Sequence, residues 1–396
     1  MIINKPTIKD KPIKENIDDL LAYAIRQNYA LALYQLPQSR EKNLIIDTSG
    51  SPVLVKPELN NLDEGFVFSK FDNNGLSYFL KADVHIAFKN SLVHFQSKNA
   101  NSFLEQFEQQ KQQLEKSSNW YTNKKDPQKL TVDYQNLVKK GVEAIKSGSF
   151  IKVVPSRCKL VDLTANFDLI ATFNMLCQQY PNAFVSLVSI PDIGTWMGAS
   201  PEILIKTDGD QHFYTAAVAG TQAYQPEVPM WEVLWRQKEI EEQALVSRYI
   251  IDCFKKIRLR EFDEDGPKTA QAGKMVHLRT DFRVDMEATN FPQLGNVMLH
   301  LLHPTSAICG MPRNDAYEFL KKHEGYDREF YSGYLGPVNL QNATNIFVNI
   351  RCMQLWQDKA MIYAGAGVTR YSNPQQEWRE TEMKCNTMMD VLINQS

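Results

Sequence analysis

The chain predicts an α+β fold built mostly from antiparallel sheet. Short runs of alternating apolar residues are joined by turn residues, as where Ile203-Leu204-Ile205 leads through Asp208-Gly209-Asp210 to Phe213. Long helical runs separate these hairpins without the regular strand–helix–strand alternation of a parallel sheet. No internal repeat is evident.

The 396 residues suffice for one large domain or two ordinary ones, and a hydrophobic content of 43% suits a packed core. Forty-four basic residues against 46 acidic ones give a net charge of −2, with no basic stripe for a nucleic-acid partner. Met1–Asn16 alternates lysines with polar residues and lacks the apolar centre of a signal peptide. No run of about 18 apolar residues is present to span a bilayer. Cys158, Cys177, Cys253, Cys309, Cys352 and Cys385 are scattered without a C-x-x-C pair, which suits small buried hydrophobes in a reducing cytoplasm.

Along the chain, residues 1–125 have few glycines and no recognisable chemistry, and Glu105–Lys125 is polar and partly helical, a connector by composition. Val132–Lys146 has helical spacing and ends at Gly148. Phe150–Arg157 reads as one strand, and Trp196–Gly220 as a hairpin. Trp231–Lys256 and Asp315–His323 read as helices. Asn345–Gln354 reads as a strand, Asp358-Lys359 as a turn and Ala360–Ala364 as the returning strand. After the bend Gly365-Ala366-Gly367, Ser372-Asn373-Pro374 opens a last helix.

That last helix carries Glu377, Glu380 and Lys384 on one face, and the helix near 240 carries Glu239 and Glu242 on one face. A solvated charged surface explains either pair alone. Facing each other, the two pairs would make an oxygen-rich cage suited to Mg²⁺. Gly198–Glu202 puts a carboxyl at a strand start, Thr215–Thr221 ends in a bare glycine and a hydroxyl, and His303–Pro312 is a proline-bounded loop with a histidine.

The stretches FIKVVPSR, GASPEILI, TAAVAGT, KEIEEQALVSRYI, VHLRT, LLHPTSAICGMP, YDREFYSGYLGPV, NIFVNIRC and YAGAGVTRYSNPQQEWRETEMK together resemble the chorismate-utilising enzymes. These are the isochorismate, anthranilate, aminodeoxychorismate and salicylate synthases. The resemblance covers about 130–390 in the family's order, and residues 1–125 match weakly. It implies a large α/β sandwich with a central cleft, in which 1–125 and the catalytic region 130–396 form one structural domain.

The resemblance also implies roles. Lys152 is the general base toward water, Glu202 the acid that protonates the leaving hydroxyl, and His303 lies beside the ring and orients it. Glu242 and Glu380 are direct Mg²⁺ ligands, with Glu239 and Glu377 acting through water. Arg351, Tyr363, the Gly365 amide and Lys384 grip one substrate carboxylate, with Gly220, Thr221 and Thr305 as further substrate contacts. Ala219 stands where aminodeoxychorismate synthases carry a lysine, and Lys152 stands where anthranilate synthases lack one. The expected reaction is therefore conversion of chorismate to isochorismate by a monomer without a glutaminase subunit, with salicylate synthase as the alternative. A non-catalytic chorismate-binding relative would show eroded acid, base or metal ligands, and none is eroded. Two departures stand out: Gln222 follows Thr221 where the family often has arginine, and Gln243 follows Glu242 where it often has histidine.

Overall fold

Apolar residues on both faces of the central strands dictate the architecture. In Ala30–Gln35, Leu31 and Leu33 face one layer while Ala32 and Tyr34 face another, and all are buried. Such strands need cover on both sides. The computed structural model describes residues 17–89, 92–95, 100–113, 120–128, 132–272 and 275–393. The reading of Met1–Asn16 lies outside the described residues. Among those described there are two nine-stranded sheets, and their strand pairings are antiparallel. The first sheet centres on Ala30–Gln35, Phe184–Ile190, Gly194–Ser200, Cys352–Leu355 and Lys359–Gly365. The second centres on His212–Ala223, Ile203–Thr207, Thr344–Val348, Tyr334–Val338 and Gly65–Ser69.

Between the sheets lies an aromatic layer in which Phe184 stacks on Phe347 at 4.2 Å and Phe68 on Phe330 at 3.9 Å. Helices Ile17–Arg26, Leu169–Gln179 and Pro374–Ile393 cover the outer face of the first sheet through Leu20, Phe173 and Met388. Helices Gln237–Lys256 and Leu294–Leu302 cover the second through Ile250, Phe254 and Met298. The result is the expected α+β sandwich. Residues before 125 supply strands to both sheets, among them Lys42–Asp47 and Gly65–Ser69.

Several elements differ from the sequence reading. Asn345–Gln354 is two strands, Thr344–Val348 in the second sheet and Cys352–Leu355 in the first, with Arg351 at φ +52° between them. Trp196–Gly220 likewise begins in the first sheet and crosses at Pro201-Glu202 into the second, where only Ile203–Thr207 and His212–Ala223 form the hairpin. Phe150–Arg157 breaks at Val154-Pro155 into Lys152–Val153, paired with Gly310–Met311, and Ser156–Asp162 at a sheet edge. Alternation continues through a crossing because both flanks stay buried, so the pattern gives no sign of it. The helix expected from Trp231 starts at Gln237, where the Glu239 side chain accepts the Arg236 amide, leaving Trp231 and Leu234 exposed. The helix Ala100–Gln110 overlaps the start of Glu105–Lys125, in keeping with a partly helical stretch, but Trp120 is buried and Tyr121 donates to the Tyr29 carbonyl at 2.9 Å. That end of the connector is docked.

The Phe184–Phe347 stack bridges the sheets beside the crossings. Phe347→Ala is expected to cost roughly 3–5 kcal/mol of stability, read as a lower urea midpoint with an unchanged slope.

Candidate active site

The two crossings lie side by side and run antiparallel. The Val348 amide donates to the Glu202 carbonyl at 3.0 Å, the Ala199 amide to the Arg351 carbonyl at 3.0 Å, and the Ser200 hydroxyl to the Val348 carbonyl at 2.6 Å. They carry Glu202 and Arg351 to one cleft of about 710 Å³, part of it open to solvent. Its walls also include Gly220, Thr221, Glu242, Gly365, Glu380 and Lys384.

Each charged group has a structural origin. Lys152, on the short strand Lys152–Val153, is fully buried and meets Glu242 at 3.0 Å. Glu242 comes from the helix Gln237–Lys256. Burial opposes its charge, but Lys152, Lys238 and Lys384 outweigh burial and hold its carboxyl below the usual range. Gly367 forms the wall behind this pair, and a Cβ there would collide with the Glu242 carboxylate and come 3.2 Å from Lys152 Cε. Gly220 sits at φ +68° in a bulged strand, where a Cβ would press on Glu239 and Trp235.

The last helix opens with Asn373, whose side chain accepts the Gln375 and Gln376 amides. One turn on, Glu377 is fully buried and pairs with Lys238 at 2.7 Å, while its Oε2 has no partner. Burial raises its pKa, with Glu380 adding to the rise against Lys238. Glu380 pairs with Lys384 at 2.8 Å, and Lys384 also donates to the Gly365 carbonyl at 2.9 Å. Arg351 is buried without an ion pair among the described residues and contacts Met275 Sδ and the Lys384 carbonyl. Its charge is therefore available to an incoming carboxylate.

Glu202 has a different fate. It is 6% exposed, and burial raises its carboxyl to about 7 although Lys152, Thr305 and Lys384 pull the other way. Thr305 donates to it at 3.4 Å.

The structure thus gathers Glu202, Gly220, Thr221, Glu242, Arg351, Tyr363, Gly365, Glu380 and Lys384 around one cleft, with Lys152 and Thr305 touching two of them. Glu239 and Glu377 stand behind the wall. Tyr363 lines the cleft with its ring, since its hydroxyl donates to Gln354 at 3.2 Å. His303, expected beside the substrate ring, is not among the residues around the cleft. It ends the helix Leu294–Leu302, contacts the Phe71 carbonyl at 3.3 Å and packs edge-on to Tyr334, and burial lowers it to about 4. The histidine that does line the cleft is His277. Its Nδ1 lies 2.8 Å from the Gly220 carbonyl, its Nε2 has no partner, and burial drives it to about 3, leaving a neutral ring. Its stretch VHLRT had suggested the family but no role, because nothing local distinguishes a strand histidine that faces a cleft. Tyr331, stacked on Tyr363 at 5.3 Å, was overlooked for the same reason.

The acidic cage differs from the expectation in detail. Among the described residues no three of the His, Cys, Asp and Glu side chains converge as a ready metal-binding group. Instead Lys152, Lys238 and Lys384 each neutralise one carboxylate.

The profile described as chorismate binding enzyme matches residues 70–393. Isochorismate synthase EntC of Escherichia coli is 29% identical over 269 residues, 65% of this chain and 66% of that protein. Isochorismate synthase DhbC of Bacillus subtilis is 26% identical over 272 residues, 66% of this chain and 67% of that protein. The alignment with EntC therefore spans slightly under two thirds of that relative's length. Among solved structures, MenF, the menaquinone-specific isochorismate synthase of Escherichia coli, superposes with a TM-score of 0.74 at 21% identity, covering 97% of this chain and 93% of that one. Anthranilate synthase component I of Streptococcus pneumoniae superposes with a TM-score of 0.63 at 16% identity, covering 95% and 86%. These likenesses show the fold. No helix among the described residues is long and apolar enough to cross a membrane.

Glu202 has a stability signature. Its folded pKa lies above the ordinary 4.5, so its contribution is full below pH 4.5 and is lost as pH rises through about 7. Glu202→Gln removes the cost of burying a charge. Its melting temperature is expected to rise relative to the parent between pH 5 and pH 8, by the equivalent of about 3 kcal/mol. A gap that stays flat across this range would contradict the neutral carboxyl.

Proposed function

The chain belongs to the chorismate-binding enzyme family, and we propose that it is an isochorismate synthase. Its reaction is the conversion of chorismate to isochorismate, with water adding at C2 as the C4 hydroxyl leaves. The observation that carries this reading is the buried Glu202 carboxyl, raised to about 7 and within electrostatic reach of Lys152. A carboxyl that keeps its proton near neutrality is a competent acid for a departing hydroxyl. Ala219 leaves no lysine nucleophile beside Gly220-Thr221, and Lys152 supports water rather than ammonia as the attacking species.

In this reading Arg351 and Lys384 bind one substrate carboxylate, and Gly220 and Thr221 approach the ring side. Lys152, having first given up its own ammonium proton, removes a proton from water; the new C2–O bond forms as both ring double bonds shift, and the C4–O bond breaks. Glu202 gives its proton to the departing oxygen, so one water enters and one leaves. The orphan Nε2 of neutral His277 offers a hydrogen-bond acceptor at the same wall.

Mg²⁺ is the cofactor we propose. Glu242 and Glu380 are the residues that would hold it, with Glu239 and Glu377 behind them. The residues fit: the donors are hard carboxylate oxygens, and the buried Glu377 Oε2 has no partner. Three of these acids, Glu242, Glu377 and Glu380, already pair with Lys152, Lys238 and Lys384, so a dicarboxylate substrate would add negative charge that Arg351 and a divalent ion offset. When bound, the ion would supply positive charge to the substrate carboxylate. We further propose a cytoplasmic monomer that needs no glutaminase. Cys158, Cys177, Cys253, Cys309, Cys352 and Cys385 are buried and free, in keeping with a reducing compartment.

Purified protein incubated with chorismate and Mg²⁺ is expected to yield isochorismate with or without ammonium. Salicylate with pyruvate, or anthranilate dependent on ammonium, would replace this assignment. Lys152→Ala should lower kcat by at least about a thousandfold while calorimetry still detects Mg²⁺-dependent chorismate binding. Turnover close to that of the parent would remove Lys152 as the base. In Glu380→Ala the Mg²⁺ needed for half-maximal activity should rise roughly tenfold or more, and an unchanged titration would remove the carboxylate from the metal site.

A further inference from the structure

One buried group outside the cleft touches the supports of both proposed proton-transfer residues. Arg328 is 3% exposed. Its Nη2 donates to the Val154 carbonyl at 2.7 Å and its Nη1 to the Ile308 carbonyl at 2.9 Å. Nε and Nη2 also donate to Glu324 at 2.6 and 2.7 Å. Glu324 in turn accepts the Ser156 amide at 2.6 Å and the Ser156 hydroxyl at 2.7 Å. The guanidinium lies 4.4 Å from the Phe71 ring centre and 5.7 Å from that of Tyr331, which lines the cleft.

Val154 and Ser156 follow Lys152 at the break where the strand is interrupted by Pro155. Ile308 belongs to the loop that begins at Thr305, the donor to Glu202. The two segments are already laced together, since the Val154 amide donates to the Cys309 carbonyl and Met311 pairs with Lys152. Arg328 and Glu324 close the far side of this lacing.

We propose that Arg328 is a positioning residue. Through its fork and through Glu324 it fixes the segment that follows Lys152 against the loop that holds Thr305, and so sets base against acid. This rests on the reading of Lys152 and Glu202 given above. The chemistry calls for arginine specifically. A planar guanidinium presents several N–H donors in one rigid array, and here it serves two backbone carbonyls and a carboxylate at once. A lysine keeps the charge but cannot span those acceptors. Stability alone does not require the pair, because a well-packed apolar replacement of a buried ion pair is often no less stable. Simultaneous orientation of the Val154 and Ile308 carbonyls is something no apolar replacement supplies.

The test uses the full chain with chorismate and Mg²⁺, comparing the parent with Arg328→Lys and with the charge-free double variant Glu324→Gln, Arg328→Met. The double variant guards against loss of folding from a stranded buried charge, and melting curves confirm that each protein is folded. In both variants kcat should fall by roughly a hundredfold while KM for chorismate stays within about threefold. Amide hydrogen exchange should quicken at residues 152–157 and 305–309 and stay unchanged along 203–207. A folded variant with kcat within threefold of the parent, a loss borne mainly by KM, or unchanged exchange at both segments would overturn the proposal. If the parent itself made no isochorismate, the functional reading would fall and exchange alone would decide: faster exchange at both segments supports the positioning role, and unchanged exchange removes it.

Discussion

A strand that leaves one sheet for another must abandon its hydrogen-bonded neighbours, and buried backbone groups left unpaired are costly. This protein meets that constraint by letting two strands cross together in opposite directions, each satisfying the other's amides and carbonyls. The pairing of Val348 with Glu202 and of Ala199 with Arg351 is what allows the break in both ladders to lie deep in the sandwich. It also requires Gly198, because a Cβ there would come within 2.8 Å of Cys352 Cβ. Glu202 and Arg351 share one cleft because both stand at this paired crossing between the sheets. The remaining elements are arranged around this junction, with helices on the outer faces and Gly310–Met311 holding the strand of Lys152.

The charges at the junction obey a second constraint. Removing an ion from water is unfavourable by several kcal/mol unless a partner compensates it. The pairs Lys152–Glu242 and Lys238–Glu377 link a strand and two helices that are distant in sequence, so their neutrality is a property of the assembled fold, while Lys384–Glu380 is a one-turn pair within the last helix. The same pairing sets the charge of the acids here: Glu242, Glu377 and Glu380 each face an ammonium.

How much of this was legible in the sequence depended on whether a residue's role was local. The last helix was legible in detail, since Asn373-Pro374 and the spacing of Glu377, Glu380 and Lys384 are local signals. The helix end at Gly148, with φ +85°, was legible for the same reason. The crossings were hidden because residues on both sides of them are buried, so Asn345–Gln354 alternates straight through Arg351. The start of the helix at Gln237 was misplaced because Trp231 and Leu234 mimic its periodicity while lying exposed before the cap. Among the side chains brought together, those in glycine- or proline-marked motifs were found, as with Glu202, Thr221 and Gly365. His277 and Tyr331 were passed over, and His303 was placed beside the substrate, because whether a buried ring faces a cleft or a backbone carbonyl is decided by tertiary packing alone.

Glu202 and Glu242 show how one dry environment produces two kinds of carboxyl. Both are buried, and in both burial is the largest influence, favouring the protonated form. Glu242 has Lys152 at 3.0 Å, and the attraction of three lysines overcomes burial, so it stays ionised. Glu202 feels Lys152 and Lys384 without an ion pair to either among the described residues, and receives a hydrogen bond from Thr305; burial prevails and it keeps its proton to about pH 7. An ionised carboxylate suits a cation, while a neutral one can give up a proton to a leaving oxygen. The difference is set by which strand or helix brings an ammonium into contact. Lys152 therefore has two effects from one position: its contact with Glu242 fixes that charge, and its separation from Glu202 leaves the proton in place. The geometry that keeps Lys152 against Glu242 and short of Glu202 is the property on which the acid depends.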